Sequence, residues 1–138
     1  MTLRINELVS AEDDTRDSRI ALKTVMQIEF SLSLLSEREA VLKRQGYPVI
    51  SILGSSNARN VDVSAPGMGV VVVGHGAPWR ERESLIAYLR ELLPGIPIVA
   101  LLRTADAPFS GADFNCPADN PPLWEKTVVQ ALLTKKFQ

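Results

Sequence analysis

Val70-Val71-Val72-Val73-Gly74-His75-Gly76-Ala77-Pro78 decides how the rest of this chain is read. Four consecutive β-branched residues show no polar alternation, the pattern of a strand covered on both faces in a parallel sheet. Gly74 and Gly76 end that strand in a loop, and Pro78, four residues after Gly74, leads into a charged amphipathic helix. Parallel α/β proteins put their chemistry outside the carboxyl ends of such strands. At that edge stand Gly74, which has no side chain, and His75, the only histidine in the chain.

Outward from this stretch, strands and helices alternate. Thr24 to Phe30 reads as the first strand, with Ile20 to Val25 as an alternative register. Ser31 to Gln45 reads as a helix with Leu34, Leu35, Val41 and Leu42 on one face. Glu37, Arg38, Lys43 and Arg44 fall largely outside that face. Ser36 and Glu39 also match a capping box, which would start the helix later. Gly46 stands where a glycine closes a helix. Pro48 to Leu53 is the second strand, and Ser55 to Gly67 leaves room for a short second helix or none. Met68 to Val73 is the third strand, and Arg80 to Leu93 a helix with the stripe Leu85, Ile86, Leu89, Leu92, Leu93. Pro97 to Leu102 is the fourth strand, Ala112 to Cys116 the fifth, and Leu123 to Lys136 a closing helix. Between the last two strands, Arg103 to Ser110 is too short and too proline-broken for an ordinary helix. Five strands joined largely by helices imply parallel pairing with right-handed crossovers. The expected fold is a doubly wound α/β sheet in the order 2-1-3-4-5.

Composition narrows the class. The chain has 138 residues, 46% of them hydrophobic and 22% charged, with a formal net charge of −1. That length suits one domain, here residues 20–138 behind a charged arm of residues 1–19. A near-neutral balance supplies no field for nucleic acid or anionic membranes. No apolar run reaches the roughly 20 residues of a membrane span, and the amino-terminal residues lack a signal-peptide core. The lone Cys116 excludes an internal disulfide. A cytoplasmic protein with no cofactor is the expectation.

Several motifs are similar to response-regulator receiver domains. Gln45-Gly46-Tyr47-Pro48-Val49 resembles the family's glycine–tyrosine turn into strand two. The valine strand ending before Pro78 resembles the strand that carries the phosphoacceptor aspartate. Leu92-Leu93-Pro94-Gly95-Ile96-Pro97-Ile98-Val99 and Gly111-Ala112-Asp113-Phe114 resemble its entries into strands four and five. The resemblance spans roughly residues 20 to 136. It implies a phosphoacceptor at Gly74, which has no carboxylate, and an acidic magnesium-binding pair at Glu29 and Phe30, where at most one acid remains. The switch hydroxyl falls on Leu102 or nearby Thr104, and the lysine ending strand five on Cys116 or Pro117. Magnesium needs a hard oxygen site, usually with one or two carboxylates plus phosphate oxygens. The resemblance therefore implies a degenerate receiver (a pseudo-receiver). Its expected role is a non-catalytic protein-interaction module in signal transduction or transcriptional regulation. Expected partners are a histidine kinase, regulator or effector, or a second copy in a homodimer, with no direct nucleic-acid or membrane contact. A missing helix between strands four and five means that a partner meets a surface other than the family's usual output face.

Other readings attach to single residues. His75 is titratable near neutral pH and placed at the sheet edge, the best candidate for an enzymatic or metal-binding role. Val73-Gly74-His75-Gly76 also resembles the strand-end His-Gly of class II chelatases, with Glu29 or Asp106 able to approach. A plain loop histidine is the simpler reading. Gly74 and Gly76 match neither the dinucleotide nor the P-loop spacing, so a tight turn outweighs phosphate binding. A small ligand in the vacated pocket is a further possibility. Cys116 reads as packing before redox thiol. Trp79 and Arg80 are partner-binding candidates beside the pocket, and Trp124 packs the last helix on the sheet. Arg80, Arg82 and Arg90, alternating with Glu81, Glu83 and Glu91, read as a solvated face.

Overall fold

The structure, a computed structural model, describes residues 23–61 and 67–134. The charged arm and the Ile20 start of strand one lie outside the described residues, as do the last positions expected for the closing helix. The elements are β1 (Thr24–Glu29), α1 (Leu32–Arg44), β2 (Val49–Leu53), α2 (Ser55–Asn60), β3 (Met68–Val73), α3 (Trp79–Leu92), β4 (Ile98–Leu102), β5 (Phe114–Pro117) and α4 (Pro121–Leu133). The strands form one parallel sheet in the order β2-β1-β3-β4-β5.

β3 lies between β1 and β4, and its valines divide between two cores. Val70 and Val72 pack with Leu42, Trp124 and Val128 beneath α1 and α4. Val71 and Val73 pack with Leu85, Ile86 and Leu89 beneath α3. All four valines are at most 2% exposed, and each such burial contributes about 1.5–2 kcal/mol. The unbroken valine run is thus the signature of a strand with helices on both sides.

The helix ends follow local chemistry. Ser31 caps α1, its Oγ accepting from Leu34 N at 3.2 Å. The alternative start at Ser36 is not used, and Glu39 pairs instead with Lys43 at 2.8 Å. Gly46 follows α1 at φ +95°, where a side chain would be strained. Asn120 caps α4, and prolines fill its first positions. The second helix is short, as expected, but β5 is displaced: it runs Phe114–Pro117 in place of Ala112–Cys116. The cause is Asp113, whose carboxylate accepts from Ile98 N at 2.8 Å and pairs with Arg90 at 2.6 Å. Those bonds hold Asp113 as the turn into the strand.

The expected gap between β4 and β5 is real. Residues 103–113 form no helix and are held by side chains. Asp106 accepts from Arg103 N at 2.7 Å and binds the Arg82 guanidinium through both oxygens, at 2.9 and 3.1 Å. Asn115 accepts from Phe109 N at 2.8 Å and donates to Phe109 O at 3.1 Å.

The solvated face expected on α3 needs correction. Arg82 is fully buried, donating from Nε to Ala77 O at 2.7 Å, and Arg90 is partly buried against Gly111 O and Asp113. Arg38 on α1, expected largely outside the apolar face, is only 7% exposed. In each case a carboxylate partner draws the guanidinium inward, Glu29 fully buried and Asp106 and Asp113 partly so.

Candidate functional site

β1 and β3 are adjacent, so the ends of both strands meet at the carboxyl edge, with Gly74 N donating to Ile28 O at 2.8 Å. That register places Glu29 beside Gly74. A Cβ on Gly74 would meet the Glu29 carboxylate, with Oε2 at 2.6 Å and Oε1 closer still. Gly74 is therefore required for space, since its φ is not positive.

Glu29 is fully buried and ion-paired to Arg38, which reaches in from α1. Its Oε1 has no hydrogen-bond partner among the described residues. Burial raises the Glu29 pKa, and the Arg38 charge and hydrogen bond oppose the rise. Arg38 Nη2 lies 3.4 Å from His75 Nδ1. A guanidinium only donates, so Nδ1 accepts and the ring proton sits on Nε2. Desolvation lowers the His75 pKa, aided by Arg38, Arg103 and Arg82 against the opposing Asp106. Glu29, Arg38 and His75 thus form a chain in which the imidazole is neutral.

The remaining expected positions separate. Phe30 lies under Gly76, where a Cβ would approach its side chain at 3.3 Å. Leu102 and Thr104 share a cavity of about 670 Å³ with His75, Arg38 and Trp124. Cys116 is buried in the core, where burial raises its thiol pKa, and Pro117 lies exposed beside it. Neither offers an ammonium group. Trp79 needs correction as an exposed partner anchor. It is half-buried, stacks on Phe109 at 4.9 Å between ring centroids and donates from Nε1 to Ala107 O at 2.8 Å. Arg80 is exposed, and Trp124 packs α4 on the sheet at 3% exposure.

The metal readings fare poorly in this geometry. Glu29 and His75 are both engaged by Arg38, and Asp106 is engaged by Arg82. No three His, Cys, Asp or Glu side chains converge on a common point among the described residues. Gly74 brings no carboxylate, and the Arg38 guanidinium already neutralises the one that Glu29 supplies. These residues do not fit a magnesium ion.

Solved structures place this architecture. The response regulator TrrA of Thermotoga maritima, in complex with Mg²⁺-BeF, is 16% identical with a TM-score of 0.68, covering 80% of this chain and 99% of its own. A response-regulator receiver domain from Clostridium thermocellum is 15% identical with a TM-score of 0.70, over 80% and 94%. A CheY-like receiver domain from Methanospirillum hungatei is 18% identical with a TM-score of 0.68, over 80% and 94%. The fold is that of receiver domains. No protein-family model matches the sequence, and no curated protein matches it either. Within the receiver fold, the Glu29–Arg38–His75 chain lies at the carboxyl edge, which the valine strand had marked.

Arg38 is the residue of this candidate site that the sequence reading missed, joining Glu29 to His75. It lies four residues after Leu34 and three before Val41, on the apolar stripe of α1. That position announced burial, and a buried arginine calls for an acid, here Glu29.

Proposed function

We propose that this chain is a pseudo-receiver: a receiver-fold protein-interaction module that accepts no phosphoryl group at the end of β3. The observation that carries the reading is the Glu29–Arg38 ion pair lying over Gly74. An acyl phosphate requires a carboxylate, and Gly74 has none. The space where one would project is filled by Glu29, and the positive charge beside it comes from Arg38. With that trigger missing, switching requires a partner that binds one conformation better than another.

The TrrA of Thermotoga maritima has been solved in complex with the histidine kinase ThkA. A histidine kinase, regulator or effector is the corresponding class of partner for this chain. Loop 103–113, with exposed Arg80 nearby, offers the surface that replaces a helix between β4 and β5. A homodimer through another face is compatible with the same role. No described helix is long and apolar enough to cross a membrane.

Incubation with acetyl phosphate and magnesium, read by intact mass, tests the proposal. The expected result is an unchanged mass, and an unchanged amide spectrum on adding beryllofluoride. A stoichiometric acid-labile adduct overturns it.

A further inference from the structure

The cavity of about 670 Å³ opens between α1 and α4. That volume is in the range that encloses small organic ligands. Its walls are apolar, built by Leu34 and Val41 from α1, Leu102 from β4, and Trp124 from α4. Its polar end is built by His75, Arg38 and Arg103.

Those polar groups are not equally committed. Arg38 is held by Glu29 and His75. Arg103 donates from Nη2 to Ala77 O at 2.8 Å, while its Nε lies 3.9 Å from an Asp106 oxygen that Arg82 already binds at 2.9 Å. Its Nη1 has no hydrogen-bond partner among the described residues, and its side chain is 49% exposed. His75 offers an Nε2–H donor, because Nδ1 accepts from Arg38. The field at the ring is positive, with three guanidiniums acting on it against one carboxylate. The carboxylates that line the cavity, Glu37 and Asp119, belong to exposed residues. An apolar body and an anionic head complement this arrangement.

We propose that the cleft between α1 and α4 binds a small organic acid, its aryl or alkyl body against Leu34, Val41 and Trp124 and its carboxylate on Arg103 and His75. The ligand sits between two helices that already touch, through the Arg38 guanidinium 5.8 Å from the Trp124 ring centroid and through Gln45 Nε2 donating to Glu125 at 3.3 Å, so it biases their spacing. The site goes beyond the interaction role and stands on its own cavity and donors.

The test is an amide and indole NMR titration of the full ¹⁵N-labelled chain with 1-naphthylacetate. 1-Naphthylacetamide and 1-naphthylmethylamine serve as neutral and cationic counterparts. The acid is expected to give saturable shifts at His75, Arg103, Thr104 and the Trp124 indole at millimolar probe. The amide is expected to bind about tenfold more weakly, the loss of one charge-assisted hydrogen bond, and the amine more weakly still. Arg103→Gln, at a half-exposed side chain, reduces acid binding about tenfold and leaves amide binding unchanged. Equal binding of all three compounds, shifts centred on α2 and α3, or no saturable shift overturns the proposal. A phospho-adduct with acetyl phosphate would count against the pseudo-receiver reading and leave this titration unchanged.

Discussion

The Glu29 carboxylate occupies the volume that a Cβ on Gly74 would need. Even Gly74→Ala therefore forces a buried ion pair to move. Overpacking of this kind costs about 1–3 kcal/mol, and Gly74→Asp costs more because it adds a second buried carboxylate. Urea unfolding checks both. In a double-mutant cycle with Glu29→Ala, the Gly74→Ala penalty is expected to shrink by about 1 kcal/mol or more. Additive penalties would contradict the close approach. Restoring an aspartate at Gly74 alone is not expected to restore phosphorylation.

Arg38→Met strands a buried carboxylate. At neutral pH this is expected to destabilise the fold by about 3 kcal/mol. Burial raises the Glu29 pKa, so the folded chain holds the proton more tightly than the unfolded chain. The resulting stability is fully present below the unfolded value near 4.5 and is lost as pH rises through the higher folded value. Without Arg38 that folded value climbs further. Urea midpoints of the variant should therefore recover as pH falls from 7 toward about 5, and midpoints that fall instead would contradict the assignment.

His75 works in the opposite direction. Its folded pKa lies below the ordinary 6.5, chiefly through desolvation, so the unfolded chain binds the proton first. Its contribution is complete above 6.5 and is lost as pH drops through that value toward the folded one. His75→Gln keeps an acceptor for Arg38 and does not titrate. The variant should lose less stability than the parent between about pH 7.5 and 5.5. Proton NMR titration of the imidazole checks the same shift directly.

Asp106 holds loop 103–113 through the fully buried Arg82. Asp106→Asn leaves that guanidinium without its anion, at an expected cost of about 3 kcal/mol. Amide hydrogen exchange should quicken across residues 103–113 and remain slow in β1 and β3. The Arg82 hydrogen bonds lower the Asp106 pKa. The stability it supplies is therefore present above its ordinary 3.8 and is lost as pH falls through the depressed folded value.

The sheet order was readable because uninterrupted runs such as Val70–Val73 and Ile98–Leu102 mark strands covered on both faces. The missing helix after β4 was readable from the shortness of its connection and from Pro108 within it. The site was half readable: Gly74 and His75 stood out, while their connection through Arg38 did not. Arg82 was overlooked for the same reason as Arg38. It falls three, four and seven residues before Leu85, Ile86 and Leu89, on the buried stripe, yet its charge suggested solvent. Helical period carried the information, and the partners Glu29 and Asp106 lie far away in sequence. The start of β5 escaped because Asp113 is held by Ile98 N and Arg90, contacts that composition does not encode.

The Arg82 guanidinium joins the loop after β3, at Ala77 O, to the loop after β4, at Asp106, and lies 5.3 Å from the Phe109 ring centroid. Two connections that could move separately are thereby fastened to one buried cation. On the proposed role, a surface clamped in this way offers a partner two loops in fixed relation, and any choice between conformations falls to parts of the fold outside the clamp.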